Sequence, residues 1–274
     1  MQPIVARGVE VPAFMYGTAW KEDDTARCVA DAIAAGFRAI DTANQRKHYF
    51  EAGVGAGLER AYASGITRAE LFLQTKFTYR RGQDHRLPYD PQADLATQVE
   101  QSVQSSLAHL GVERIDAYVL HGPATARRLI DLDWAVWRTM ERLHDAGTLG
   151  LLGISNVELS HLQELCRGAR IAPAFVQNRC YASSGWDREV RAFCAAQGIV
   201  YQGFSLLTAN RSIFTNPRFV ALQQRYNRTP AQLVFRFAQQ LGMLPLTGTT
   251  DPEHMREDRQ LDVDLDARDV EQLE

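Results

Sequence analysis

Eight short runs of β-branched and apolar residues, separated by amphipathic stretches, constrain this chain more than any other feature. The runs fall at Ala13–Thr18, Phe37–Asp41, Leu71–Lys76, Ile115–His121, Leu151–Ser155, Ala174–Gln177, Ile199–Phe204 and Met243–Thr247. Between them the apolar residues keep helical spacing. Ala26, Val29, Ala30 and Ile33 form one stripe, and Val99, Val103 and Leu110 form another in which Ser106 is the single polar member. Asp24-Thr25 reads as the cap of the first helix, and Ala35-Gly36 stops it before a strand begins. Ala146-Gly147 and Gln197-Gly198 repeat that helix–glycine–strand order. Strands that alternate with helices pair in parallel, because parallel neighbours need a long crossover. Eight such units close into a (β/α)8 TIM barrel, an architecture of about 250 residues. The 274 residues hold one barrel with little surplus. The expectation is a single barrel domain over residues 1–274, with Ile4–Val11 as a short N-terminal hairpin closing the barrel bottom.

Charge and patterning narrow the function classes. With 30 basic and 33 acidic residues the net charge is -3, which lacks the basic surface a nucleic-acid partner requires. No apolar run approaches the roughly 18 residues of a membrane span. The opening Met1-Gln2-Pro3-Ile4 has neither the basic nor the apolar part of an export signal, so the expected location is cytoplasmic. Cys28, Cys166, Cys180 and Cys194 lie far apart with no CxxC pair, which fits reduced thiols and neither a zinc site nor a disulfide framework. No metal-binding spacing such as HExxH occurs, and no metal is expected. Gly53-Val54-Gly55-Ala56-Gly57 imitates a dinucleotide fingerprint, yet about ten residues separate it from the strand ending at Asp41. These glycines read instead as sites of close helix packing.

In a barrel the active site lies at the C-terminal ends of the strands. Asp41, Lys76 and His121 stand there, after the second, third and fourth strands. Each has a plain structural reading, as a turn carboxylate, a surface lysine and a core histidine. Lys76 stands out because only Lys21, Lys47 and Lys76 are lysines among the 30 basic residues. Lysine also shifts its pKa on burial, whereas arginine stays charged. Three polar strand ends in consecutive units converge on one pocket. The longest irregular stretch, Phe77–Pro91, follows Lys76 directly and carries Arg80, Arg81 and Arg86. Long loops in compact domains are usually functional, and solvated arginines are the plain reading of this one.

These residues also carry a pattern. Gly36-Phe37-Arg38-Ala39-Ile40-Asp41-Thr42-Ala43 followed by Glu51-Ala52-Gly53-Val54-Gly55 resembles the first signature of the aldo-keto reductases. The similarity continues through Leu73–Lys76, Tyr118–His121, Leu152–Asn156 and Val176–Asn178, and reaches Gly248-Thr249-Thr250 and Glu257-Asp258. The resemblance implies NAD(P)H-dependent reduction of an aldehyde or ketone by a tyrosine, lysine, aspartate and histidine group. A free tyrosine has a pKa near 10, so a nearby lysine cation is what makes it a usable acid. Asp41 would hold Lys76 protonated, and His121 would orient the carbonyl and stabilise developing charge.

The chain departs from the family at the tyrosine. The stretch between Asp41 and Glu51 is two residues longer, so that Arg46 and His48 occupy the counted positions. Tyr49 is the assigned proton donor, with His48 its competitor. For the cofactor, the resemblance implies Ser155, Asn156 and Gln177 at the nicotinamide carboxamide, Phe204 stacked on its ring, Ser205 and Leu207 on the pyrophosphate loop, and Gly17-Thr18 closing the other side. Gly248, Thr249, His254, Arg256 and Asp258 fall at the adenosine end. The leaning is to NADP, with NAD the alternative. Tyr16, Trp20, Lys21, Tyr79 and Trp186 are the expected lining for a small-molecule carbonyl substrate. Two rival readings are a cofactor-binding regulatory subunit with little turnover and a Schiff-base lyase using Lys76.

Overall fold

The computed structural model describes residues 2–274 and bears out the barrel. The eight parallel strands are β3 (Met15–Gly17), β4 (Ala39–Asp41), β5 (Phe72–Phe77), β6 (Ile115–Leu120), β7 (Leu149–Ser155), β8 (Phe175–Arg179), β9 (Val200–Phe204) and β10 (Leu244–Thr247). They close in sequence order, with β10 pairing back onto β3. Each boundary lies within two residues of the sequence reading. Before them, β1 (Ile4–Ala6) and β2 (Val9–Val11) pair antiparallel, with Ile4 opposite Val11. Arg7 and Gly8 make the turn with φ of 49° and 82°, the left-handed geometry that a two-residue hairpin loop demands.

The helices α1 (Thr25–Ala34), α2 (Glu51–Ala63), α3 (Leu95–Leu110), α4 (Asp131–Asp145), α5 (Leu159–Gly168), α6 (Arg188–Gln197), α7 (Pro217–Tyr226), α8 (Pro230–Gln240), α9 (Pro252–Asp258) and α10 (Ala267–Leu273) complete the molecule. The cap of α1 differs from the reading. Asp24 belongs to a preceding 3-10 turn and its carboxylate makes no cap bond, because it pairs with Arg27 instead. Gly36 does stop that helix, at φ 99°.

Two apolar layers hold the fold. One lies between strands and helices and contains Phe14, Phe37, Trp137 and Phe235. The other fills the barrel interior with Met15, Phe72, Phe175, Val200 and Leu244. Ala6 and Val11 of the hairpin join this inner layer, and Arg7 Nη2 donates to the Pro173 carbonyl at 3.1 Å, so the hairpin plugs the barrel bottom. At the opposite end the inner layer turns polar, with Asp41, Gln74, Lys76, Gln177 and Gln202 all buried.

The glycines of α2 do serve packing. A Cβ on Gly57 would meet Val29 Cβ of α1 at 2.7 Å, and one on Gly55 would meet the His109 carbonyl oxygen of α3 at 1.9 Å. Backbone cannot swing aside as a side-chain tip can, so Gly55→Ala must separate α2 from α3. The expected cost is about 3 kcal/mol, the upper range of overpacking, read as a lowered denaturant midpoint with an unchanged slope. An unshifted midpoint would show that the two helices can part freely.

Candidate active site

The site begins with an ion pair inside the barrel. Lys76 near the end of β5 is buried, and its Nζ donates to Asp41 Oδ1 and Oδ2, each at 2.7 Å, and to the Thr42 carbonyl at 2.8 Å. Burial pushes the lysine below its ordinary value, and the Asp41 charge opposes that. Strand register brings the two groups together: Asp41 pairs with Gln74 across the β4–β5 edge, two residues before Lys76 on the same face.

The longer stretch after Asp41 folds as a tight turn on Gln45. Its carbonyl accepts from the backbone N–H of His48 at 3.1 Å and of Tyr49 at 2.9 Å. Gln45 Nε2 donates to the Gly82 carbonyl at 2.6 Å, and Gln83 Nε2 donates to the Asn44 carbonyl at 2.8 Å. The extra residues are thus fastened to the loop after β5, and Tyr49 points back over it. Its ring centre lies 5.2 Å from Lys76 Nζ and 5.9 Å from the His121 ring. Burial first, and then the Asp41 charge, push the Tyr49 hydroxyl above its ordinary range. His48 lies at the rim, its ring centre 4.1 Å from that of Trp20, whose backbone N–H donates to the His48 carbonyl at 2.7 Å. The extra length therefore brings the Tyr49 ring to Lys76, while His48 lines the same cavity beside Trp20.

His121 directly follows β6. Its Nδ1 lies 2.7 Å from Thr78 Oγ1, and burial, with Lys76 adding, pushes its pKa down to about 3. The imidazole is therefore neutral at ordinary pH. In the tautomer in which Nδ1 accepts from the Thr78 hydroxyl, Nε2 carries the proton and is a donor. Thr78 was not singled out from the sequence; it stands just beyond the end of β5, two residues after Lys76.

A cavity of about 1150 Å³ opens above this group. Asp41, Tyr49, His121, Ser155, Asn156 and Gln177 line its floor. Ser155 Oγ donates to the Gln177 carbonyl at 2.7 Å, and Asn156 Nδ2 donates to the His121 carbonyl at 2.8 Å. Phe204, Ser205 and Leu207 line one wall, with the Arg179 guanidinium 5.8 Å from the Phe204 ring centre. Asn156 and Ser205 take left-handed φ of 54° and 56°, strain of the kind that gathers at functional sites. Gly17, Gly248, Thr249, His254 and Asp258 line the far end. There Lys21 Nζ donates to the Gly248 carbonyl at 2.7 Å, and burial pushes this lysine down to about 8.

Several expected residues lie elsewhere. Trp186 is buried against Phe237 and donates from Nε1 to the Leu273 carbonyl at 2.7 Å, so it is core and not pocket. Tyr79 faces away from the cavity, its hydroxyl donating to Asp133 Oδ1 at 2.8 Å. Tyr16 is buried beneath the cavity, its hydroxyl donating to the Thr249 carbonyl at 2.8 Å. Thr18 is buried and donates to the Asp41 carbonyl at 2.9 Å, supporting the strand end without facing the cavity. Arg256 is exposed and outside the lining. In the long loop, Arg81 donates to the Pro123 and Ala124 carbonyls and Arg86 pairs with Asp84, so neither reaches the cavity. Only Trp20 and Lys21 of the expected substrate lining are part of it.

The cavity fits a nicotinamide dinucleotide. It is long enough to pass from the Tyr49 end to Asp258, and it offers an aromatic face at Phe204. Among the described residues the Tyr49 hydroxyl and Gln177 Oε1 have no hydrogen-bond partner in the protein. The profile of the aldo/keto reductase family matches residues 13–274. The glyoxal reductase of Bacillus subtilis is 28% identical over 270 residues, covering 97% of this chain and 89% of that protein. The methylglyoxal reductase DkgA of Yersinia pestis is 29% identical over 262 residues, covering 94% and 86%. In structure, the Bombyx mori aldo-keto reductase in complex with NADP superposes with a TM-score of 0.84 at 24% identity, covering 100% of this chain and 92% of that one.

Asp258 allows a test of the far end. Thr247 Oγ1 donates to its Oδ2 at 2.7 Å, yet burial dominates and pushes the carboxyl up to about 6. A carboxyl whose folded pKa exceeds its unfolded value stabilises the fold below about pH 4, and that contribution is lost as pH rises through 6. Above pH 6 the charged form costs on the order of 3 kcal/mol at most. Asp258→Asn should therefore raise the melting temperature at pH 8, with the gain vanishing by pH 4. A pH-independent difference would refute the assignment.

Proposed function

Because the chain belongs to the aldo/keto reductase family and is an oxidoreductase of that type, we propose that it reduces small aldehydes or ketones to alcohols with NADPH. The observation that carries this reading is the Tyr49 ring beside a buried Lys76–Asp41 pair, with neutral His121 facing the same space. When bound, the reduced nicotinamide supplies a hydride to the carbonyl carbon. Every other task falls to this chain.

His121 donates a hydrogen bond from Nε2 to the carbonyl oxygen and so fixes which oxygen lone pair meets Tyr49. Tyr49 gives its proton to that oxygen as negative charge develops there. Its elevated pKa keeps the proton in place at all working pH values. The Lys76 cation then stabilises the phenolate left behind, and Asp41 keeps Lys76 charged and still. The proton is replaced from solvent through the open cavity. Gln177, Ser155 and Asn156 hold the nicotinamide carboxamide, Phe204 lies against its ring, and the Lys21–Gly248 wall receives the far half of the cofactor. Among the rivals, a Schiff-base role for Lys76 needs a free neutral amine, and three acceptors surround this one.

The relatives named for glyoxal and methylglyoxal make those two dicarbonyls the first substrates to assay. With either one, Tyr49→Phe is expected to lower kcat by about 10²–10⁴-fold with little change in NADPH affinity, the range of a lost general acid. His48→Ala should leave kcat within about tenfold of the parent, far short of a lost general acid. An inactive His48→Ala beside an active Tyr49→Phe would transfer the donor role to the histidine.

A further inference from the structure

Beneath the candidate site, three glutamine side chains from separate strands meet: Gln74 of β5, Gln177 of β8 and Gln202 of β9. Gln74 and Gln202 are wholly buried at depths where an apolar side chain would pack equally well. A buried amide is costly unless its bonds are made, so this pair calls for a reason.

The bonding pattern has one solution. Asp41 Oδ1 lies 2.8 Å from the Gln74 amide and 3.0 Å from the Gln177 amide. An ionised carboxylate only accepts, so both glutamines must turn their NH2 groups toward it. Each NH2 has a second hydrogen, and both point at the same atom of Gln202, at 2.8 Å and 3.0 Å. That atom must be Oε1. The Gln202 NH2 then faces Gln74 Oε1 at 2.9 Å and closes the ring. The charge on Asp41 thus dictates the orientation of all three amides. Both amide hydrogens of Gln177 are occupied from below, which leaves its Oε1 as the atom offered to the cavity.

We propose that Gln74 and Gln202 are positioning residues for the cofactor: they lock the Gln177 amide so that its oxygen is presented to the carboxamide N–H of a nicotinamide. The proposal rests on the reading above that the nicotinamide lies at this end of the cavity. Without Gln202 the Gln177 side chain keeps a single anchor, on Asp41, and is free to rotate about it. Gln74 acts one step further back, holding Gln202 from the opposite side.

The test is equilibrium binding of NADP+ and of 2′,5′-ADP, which lacks the nicotinamide, followed by tryptophan fluorescence. Gln202→Met keeps the length and removes the amide. It is expected to raise the NADP+ Kd about tenfold, the scale of one lost oriented hydrogen bond, with 2′,5′-ADP binding unchanged. Gln202→Glu, buried near Asp41 and therefore held protonated, accepts through its carbonyl and donates through its hydroxyl as glutamine does. Its NADP+ Kd should stay within about twofold of the parent. If Gln202→Met does not fold, the double variant Gln74→Met/Gln202→Met removes both amides together and carries the same measurement. Unchanged NADP+ binding, or equal weakening toward both ligands, overturns the proposal. A parent protein that binds neither ligand overturns instead the function proposed above.

Discussion

The candidate site depends on one buried ion pair, Asp41 with Lys76. Two charges at 2.7 Å attract by about 6 kcal/mol at an effective dielectric near 20, while each loses several kcal/mol of hydration on burial. The pair alone is therefore close to neutral in energy. What tips it is the remaining shell: the Thr42 carbonyl on the lysine, and the Gln74 and Gln177 amides on Asp41 Oδ1. This accounts for the polar upper third of an otherwise apolar barrel interior. Lysine stays within a core because its three ammonium hydrogens all meet acceptors. The result is a fixed positive charge that water does not screen, set beside a tyrosine and a histidine. Burial and the Asp41 charge push Tyr49 up, and burial and the Lys76 charge push His121 down, so the first retains its proton and the second remains neutral.

The closed architecture was legible because it follows from periodicity, which is local. Eight runs, their helix–glycine–strand punctuation and the plugging hairpin all appear where the residues place them, within two residues at each strand end. The polar strand ends were legible for a related reason. Alternation along a strand sets which face a residue takes, and barrel closure brings successive strand ends together. Asp41, Lys76 and His121 converge on those grounds alone. What periodicity cannot convey is the direction of a large side chain outside a strand. Tyr79 and Trp186 have amphipathic side chains suited to a pocket, yet each has its polar atom claimed elsewhere, by Asp133 and by the Leu273 carbonyl. Those partners lie 54 and 87 residues away in the chain, beyond any local rule. Gln74 and Gln202 went unread for the opposite reason. An isolated glutamine in an apolar run looks like noise until its partners on other strands are known: Gln74 meets Gln202 across the barrel, and Gln177 stands beside Gln202 on the neighbouring strand.

The position of Tyr49 illustrates how a length change can leave a side chain in place. Counting residues from Asp41 or back from Glu51 places Arg46 or His48 where the family's acid belongs, whereas the ring centred 5.2 Å from Lys76 Nζ is that of Tyr49. The distances that matter are set by anchors at either end. On one side Asp41 is held by Lys76. On the other, Glu51 begins α2, and its carboxylate bonds Thr75 Oγ1 and lies 3.0 Å from His109 Nδ1. Thr75 is the residue before Lys76. The start of α2 is therefore tied to the strand that carries the lysine, and the close contacts of Gly55 and Gly57 with α3 and α1 fix that helix laterally.

Between two such anchors the intervening chain can gain residues only by looping outward. The loop folds onto Gln45 and fastens to Gly82 and Gln83, while its last member next to Phe50 stays over Lys76. Residues immediately before the second anchor inherit its position, and those in the middle do not. Tyr49 lies two residues before Glu51, whereas Arg46 turns outward to pair with Glu22. The proposed proton donor can thus keep its place relative to a lysine while its place in a counted motif changes. The constraint that preserves it is the bond between Glu51 and Thr75, not the spacing from Asp41.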